Sequence, residues 1–360
     1  MPKALSITAC ASLAVSSAAP AFAQLDHTPS QLKTRSETYP PAKSLINPDE
    51  KLANIEAAIR AYQDGNYTKA SSLAKSAYNA GSMDGAVLLG HMNRKGELGA
   101  ADYAQARQWY EKAAALSHPD ALMALADMGL NAQGGLSKTD AAGFLSRAAD
   151  RGRTEAMLVL SDLYMMGEGV PKDQARAREY LTRAADNFDV SANKKLGDSY
   201  LASDPQKALG YYEIAADSGD IEAAYIAGVM YAENFDIRPN STRSAQLLRQ
   251  AALGGHPAAQ ADYGLLVYQG YGAKKSNEDA AQWFQKSAKG GDSEGQFLYA
   301  FTLAKGEGVE QDFEEAYYWL LQSTDNGVDD YDQDRQELRK RLEANVDADI
   351  LSRARARASQ

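Results

Sequence analysis

The 360-residue sequence predicts an all-α, right-handed α/α solenoid of antiparallel helix pairs, and three observations carry the prediction. A large side chain recurs at Leu73, Trp109, Phe144, Tyr180, Tyr211, Leu247, Trp283 and Trp319, at steps of 36, 35, 36, 31, 36, 36 and 36. A small residue recurs independently at Gly85, Ala121, Ala156, Ala192, Ala223, Ala259 and Gly295, with the same short step between the fourth and fifth copies. Glycine doublets such as Gly167-Glu168-Gly169, Gly270-Tyr271-Gly272 and Gly306-Glu307-Gly308 punctuate the units at a fixed register.

Along the chain, residues 1–23 read as a signal peptide: Lys3, an apolar run from Ala4 to Val15, and Ala21-Phe22-Ala23 as the cleavage site before Gln24. Cleavage there predicts a periplasmic or secreted chain. The rival reading is a lipobox at Ile7-Thr8-Ala9-Cys10, with a very short apolar core. Cys10 is the sole cysteine, so the mature chain has no disulfide and relies on packing. Residues 24–48, with Pro29, Pro40, Pro41 and Pro48 among polar neighbours, read as a flexible tether. Residues 49–81 read as an N-terminal cap hairpin turning at Asp64-Gly65-Asn66-Tyr67, and 82–327 as seven repeats. Residues 328–360 lack the repeat. Leu338, Leu342, Val346, Ile350 and Leu351 predict one capping helix, with Arg353, Arg355 and Arg357 in a frayed basic end.

Each repeat reads as two helices. The first places small, large and small residues at offsets 0, 4 and 5, as in Ala156, Leu160 and Ser161, on one helical face. A glycine in the left-handed conformation ends it. An apolar residue and an acid follow, as in Val170-Pro171-Lys172-Asp173, the acid opening the second helix. Pro119 and Pro257 sit where they open the next first helix. No unit can bury its faces alone, so neighbours must stack, and small residues at the stacked sites let the helices approach closely.

The small–Leu–small–Tyr helix, the Gly-x-Gly-Val turn, the acid and the Ala-x-x-Trp-Tyr-x-x-Ala-Ala pattern resemble Sel1-like repeats, relatives of tetratricopeptide repeats. Ala156 to Ala185 and Gly295 to Trp319 match best. The resemblance implies the solenoid fold and a protein-binding role, in envelope assembly, exopolysaccharide export or control of a signalling partner. Activities of the cysteine-rich branch do not carry over. The fourth unit departs from the pattern, with Tyr200-Leu201-Ala202-Ser203-Asp204-Pro205 in place of the glycine loop. The fifth has Asn234-Phe235-Asp236-Ile237 there.

Net charge is −10, which argues against nucleic acid and anionic membranes as partners. No later stretch is long enough to form an integral membrane segment. The four histidines have no metal-ligand spacing, so neither metal nor cofactor is expected. Asp330, Asp332 and Asp334 resemble the start of a calcium loop, but Arg335 and Arg341 stand where glycine and glutamate are required. Ser72-Leu73-Ala74-Lys75 and Ser191-Ala192-Asn193-Lys194 match Ser-x-x-Lys without companion motifs. The competing class, a cell-wall or β-lactam hydrolase of the kind sometimes ascribed to the family, therefore lacks an activated nucleophile, and no enzyme is expected.

The candidate partner-binding face lies on the first helices. Offset 6 reads His91, Asp127, Asp162, Asp198, Val229, Leu265 and Phe301; offset 2 adds Met123, Leu158, Lys194, Tyr225 and Phe297. Asp127, Asp162 and Asp198 are expected to steer basic groups, with Tyr225, Phe297 and Phe301 as aromatic anchors for another protein.

Overall fold

The computed structural model describes residues 48–232, 237–323 and 331–359; within them every periodic segment is a helix, and no strand forms. The signal peptide, nearly all of the tether and residues 234–236 of the fifth loop lie outside the described residues. Two compact units divide between Ala192 and Asn193. The first holds α1 (Pro48–Gln63), α2 (Tyr67–Asn79), α3 (Met83–Lys95), α4 (Tyr103–Ala115), α5 (Pro119–Leu130), α6 (Lys138–Ala149), α7 (Thr154–Met166) and α8 (Gln174–Asp186). The boundary falls inside α9 (Val190–Tyr200). The second holds α10 (Pro205–Asp217), α11 (Ile221–Ala232), α12 (Ser241–Leu253), α13 (Pro257–Gln269), α14 (Asn277–Lys289), α15 (Ser293–Lys305), α16 (Phe313–Gln322), α17 (Asp332–Asn345) and α18 (Ala348–Ala358).

Polar side chains start every second helix from α2 to α16. Asn66, Asp102, Ser137, Asp173, Asp204, Asn240, Ser276 and Asp312 each accept from a backbone N–H of the first turn. Each such cap contributes about 1 kcal/mol. Asp204 keeps its cap although the loop before it is short, which is why the 31-residue unit still forms a second helix. Pro119 and Pro257 stand at the first helical positions of α5 and α13.

Size matching between the two helices explains the second small register. Gly90 lies against the Tyr110 ring, Gly197 against Tyr212 and Gly264 against Phe284, where an added Cβ would come within 2.7, 2.6 and 2.8 Å of ring carbons. The three rings are essentially buried. Repeats with Ala126, Ser161 or Ala300 at the small position have leucine at the large one: Leu145, Leu181 and Leu320. Volume is thus conserved across these six pairs, as close-packed interiors demand; the fifth repeat departs from the rule, with Gly228 against Leu248.

The second glycine of the doublet joins repeats. A Cβ on Gly169 would sit 2.5 Å from the Lys138 carbonyl group, at the start of the preceding second helix. Gly272 and Gly308 meet Ser241 and Asn277 in the same way, and all three have positive φ. Backbone lies against backbone there, and only glycine fits.

The fourth residue of each second helix faces the core as Ala70, Ala106, Ala141, Ala177, Ala208, Ala280 or Ala316, all fully buried. In α12 the position is Ser244, 1% exposed, and its hydroxyl finds no hydrogen-bond partner. An unsatisfied buried hydroxyl is unfavourable by about 1–3 kcal/mol. Ser244→Ala is therefore expected to raise stability by about 1 kcal/mol, read as a higher urea midpoint at unchanged slope. A lower midpoint would show that the hydroxyl is bonded in solution.

Each core is a run of neighbouring clusters rather than one mass. In the first unit, a cluster with Leu88, Leu89 and Met92 and one with Leu122, Leu125, Leu145 and Leu160 share Trp109. In the second, a cluster around Tyr212, Met230 and Leu248 and one around Phe284, Leu298 and Tyr317 share Tyr263.

The C-terminal expectation requires correction. Two helices form where one was expected, because Val346 is extended and Asp347 caps α18 through the Asp349 N–H at 2.8 Å. The basic end is not frayed. Arg353 Nε lies 2.7 Å from Glu314, Arg357 donates to Glu315 at 2.8 Å, and Arg355 donates to the Tyr317 hydroxyl at 2.9 Å. Leu351 and Ala354 bury the apolar face of α18. The acids that hold the arginines lie about 40 residues earlier on α16, beyond any local pattern.

Candidate binding surface

The first helices are enclosed on more sides than offset counting allows, because each packs on its own second helix and on neighbours in the stack. The six candidate residues divide between the units: Asp127 and Asp162 in the first, Asp198, Tyr225, Phe297 and Phe301 in the second.

In the first unit, Asp127 is only 6% exposed. It forms an ion pair with Arg94 on α3 and accepts from Asn131 Nδ2 at 3.0 Å. Arg94 Nε also donates to Gln133 at 3.0 Å. Asp127 is thus a structural acid joining adjacent first helices, and its place on a contact face is withdrawn. Asp162 is half-buried, as is Leu158, whereas Met123 is core.

In the second unit, Asp198 is exposed; it accepts from the Tyr212 hydroxyl at 2.8 Å and lies 3.4 Å from Lys194 Nζ. Burial, then the Asp198 charge, pushes the Tyr212 phenol well above its ordinary range. Tyr225 is half-buried and stacks on the His256 ring with centroids 4.3 Å apart. Phe297 is 2% exposed, in contact with Tyr331 at 5.3 Å, so it too is withdrawn as an anchor. Val229 and Leu265 are likewise core. Phe301 is half-buried, 6.4 Å from Phe297, with Lys305 Nζ 4.3 Å above its ring. Asp162, Asp198, Tyr225 and Phe301 therefore remain at least partly open to a partner.

Sequence reasoning missed a set of latches between repeats. The residue that opens a first helix reaches back to the first-turn acid of the previous first helix. His118 Nε2 lies 3.0 Å from Asp84, His256 Nε2 lies 3.2 Å from Glu222, and Arg153 pairs with Asp120. Ala259 N–H donates to His256 Nδ1 at 3.2 Å, which leaves the proton on Nε2 to donate to Glu222. That hydrogen bond holds the Glu222 carboxyl below its usual range. A second set binds helix C-termini: Arg183 and Gln250 donate to the Ala149 and Ala216 carbonyls at 3.1 and 2.6 Å, and Arg147 to that of Ala114. These pairs recur at separations of 33–34 residues, close to the repeat length, and a search for a His or Arg and an acid at that spacing would have found the first set; the carbonyl acceptors of the second leave no mark in the sequence.

Among the described residues, no group of three His, Cys, Asp or Glu could hold a metal ion, and no helix is long and apolar enough to cross a membrane.

The description of the Sel1 repeat matches residues 84–118, 154–187, 194–220, 221–256, 257–292 and 293–328, more than half of the chain. The chain belongs to the Sel1 repeat family. Repeats of this family generally serve as protein-interaction scaffolds, typically without catalysis. The Sel1 match leaves out residues 119–153, which nonetheless fold as the pair α5 and α6. That Sel1-like pair ends α5 at Asn131 and has Ala132 at positive φ where other repeats carry the glycine cap. The Sel1 protein of Oxalobacter formigenes is similar in fold, with a TM-score of 0.63 and 24% identity over 81% of this chain and 86% of that one. The antigen c5321 of uropathogenic Escherichia coli, described as displaying an SLR fold, aligns with a TM-score of 0.47 and 24% identity over 86% and 75%. The uncharacterised protein NMB1327 of Neisseria meningitidis serogroup B is 30% identical over 170 residues, 47% of this chain. The match spans 36% of that relative's length.

Proposed function

We propose that this Sel1 repeat protein is a periplasmic or secreted scaffold that binds another protein, in envelope assembly, exopolysaccharide export or control of a signalling partner. The observation that carries the reading is that two first helices of the second unit keep an aromatic ring partly open, Tyr225 on α11 and Phe301 on α15. Half-buried rings held by stacking lose little entropy on binding and make good anchors. The acidic balance, with Asp198 exposed, favours a partner surface rich in lysine and arginine. Export is supported by Lys3, the apolar run to Val15 and Ala21-Phe22-Ala23; mass spectrometry of the native protein should find Gln24 as the first residue.

The test begins with crosslinking in intact cells, followed by affinity measurement on the partner recovered. Tyr225→Ala combined with Phe301→Ala should weaken binding at least about fivefold, the two anchors together contributing about 1 kcal/mol or more, with the helical circular dichroism retained. Unchanged affinity in a folded double variant would refute the assignment. Hydrolysis of nitrocefin or peptidoglycan by the purified chain would refute the scaffold reading itself.

A further inference from the structure

One turn in the first unit breaks the local rules twice. At the end of each second helix, one residue turns the chain through the left-handed region into the next first helix. Gly81, Gly152, Gly219, Gly255 and Gly291 take this position, with φ of 87°, 81°, 97°, 91° and 86°. A Cβ would meet nothing within 4 Å at any of the five, so backbone preference alone selects glycine there. At residue 117 the same turn carries a half-buried serine, with φ of 57°, and at residue 188 it carries phenylalanine, with φ of 63°. The hydrogen bonds are those of the glycine turns. Phe188 N–H donates to Ala185 at 2.9 Å and Asp189 N–H to Ala184 at 3.2 Å; Gly152 and Arg153 donate to Ala149 and Ala148 at 2.9 and 3.1 Å. The Phe188 ring is 94% exposed, so packing does not offset the backbone strain.

Two residues earlier, Asp186 is the last residue of α8. A carboxylate there faces the negative end of the helix dipole. The corresponding acids Asp150 and Asp217 are met by Arg183 at 3.2 Å and Arg243 at 3.7 Å. Asp186 is exposed and has no such arginine among the described residues. Val190, two residues after the ring, is 38% exposed.

Resting on the scaffold reading above, we propose that the 186–188 turn is an anchor for a protein segment that carries a lysine or arginine flanked by aliphatic side chains. The aliphatic groups close over the Phe188 ring, and the cation meets the Asp186 carboxylate. Strained, exposed choices that no neighbour among the described residues offsets are the kind that binding sites retain. The charge of Asp186 and the net charge of −10 select a cationic partner over an acidic one.

The test uses the full chain and a phage-displayed library of random peptides, with affinities of the selected peptides measured by fluorescence anisotropy. The expected winners combine basic and aliphatic residues. Phe188→Gly should weaken them at least about tenfold and Asp186→Asn at least about threefold, the latter effect fading in about 0.5 M salt. Phe188→Gly should melt no lower than the parent, because glycine is the residue this turn prefers; lost binding then cannot be blamed on misfolding. Peptides that bind Phe188→Gly as tightly as the parent would overturn the anchor while leaving the scaffold reading standing, since that reading is judged on Tyr225 and Phe301. Failure to select any basic–aliphatic peptide would also overturn it. A dimer in sedimentation that Phe188→Gly abolishes would replace the cationic segment with a second copy of this chain.

Discussion

Gly308→Ala is expected to destabilise the chain by about 3 kcal/mol, combining the left-handed backbone penalty with a steric clash. Gly308 has φ of 75°, and an added methyl would strike the Asn277 carbonyl and the Glu278 amide at the start of α14. Neither atom can move alone, because Asn277 is the first residue of a helix capped by Ser276. Gly291→Ala is the matched control: its φ is 86°, but a methyl there meets open space. It should lose only about 1 kcal/mol, the backbone term by itself. Urea unfolding of both variants checks the contrast, and equal losses would show that the contact between repeats is looser than the structure has it.

The second large effect is expected at Asp127. Asp127→Ala removes one partner of a mostly buried ion pair and leaves the Arg94 guanidinium, its side chain 20% exposed, beside the buried Tyr110. Breaking such a pair from one side is unfavourable by about 3 kcal/mol. Replacing both members together, Arg94→Met with Asp127→Leu, should recover most of that loss, because no charge is then left without a partner. The half-buried Asp162 should change stability by no more than about 0.5 kcal/mol when replaced by alanine. A loss at Asp127 no greater than that at Asp162 would return Asp127 to the candidate contact face.

That comparison shows where the sequence misled. Offset 6 lies off the face formed by offsets 0, 4 and 5, and in an isolated hairpin it would meet water. In a stack, adjacent first helices cover part of it, and how much depends on the neighbour: Leu265 is completely buried, Val229 is 8% exposed and Phe301 is half-buried. Asp127 differs from Asp198 for the same reason. Arg94 sits within reach of the first, whereas Lys194, Tyr212 and solvent surround the second. A single helical period cannot encode which residue of another repeat lies opposite.

Within the repeats, the positions of helices, caps and turns followed from the chain alone, because they depend on residues within a few positions of one another. Asn66 and Asp173 cap second helices, Pro119 and Pro257 open first helices, and Gly167, Gly270 and Gly306 end them in the left-handed conformation. The pairing of Gly90 with Tyr110 and of Gly264 with Phe284, complementary volumes on two helices, became visible only once the helices packed. Tertiary structure decided the rest: the latches of His118 and His256, the arginines of α18 held on α16, the burial of Asp127 and Phe297, and the exposure of Phe188. Except at Phe188, these depend on atoms brought together from residues tens of positions apart, and they exist only once the repeats stack. At Phe188, it is the 94% exposure of the residue among the described residues that only the folded chain reveals.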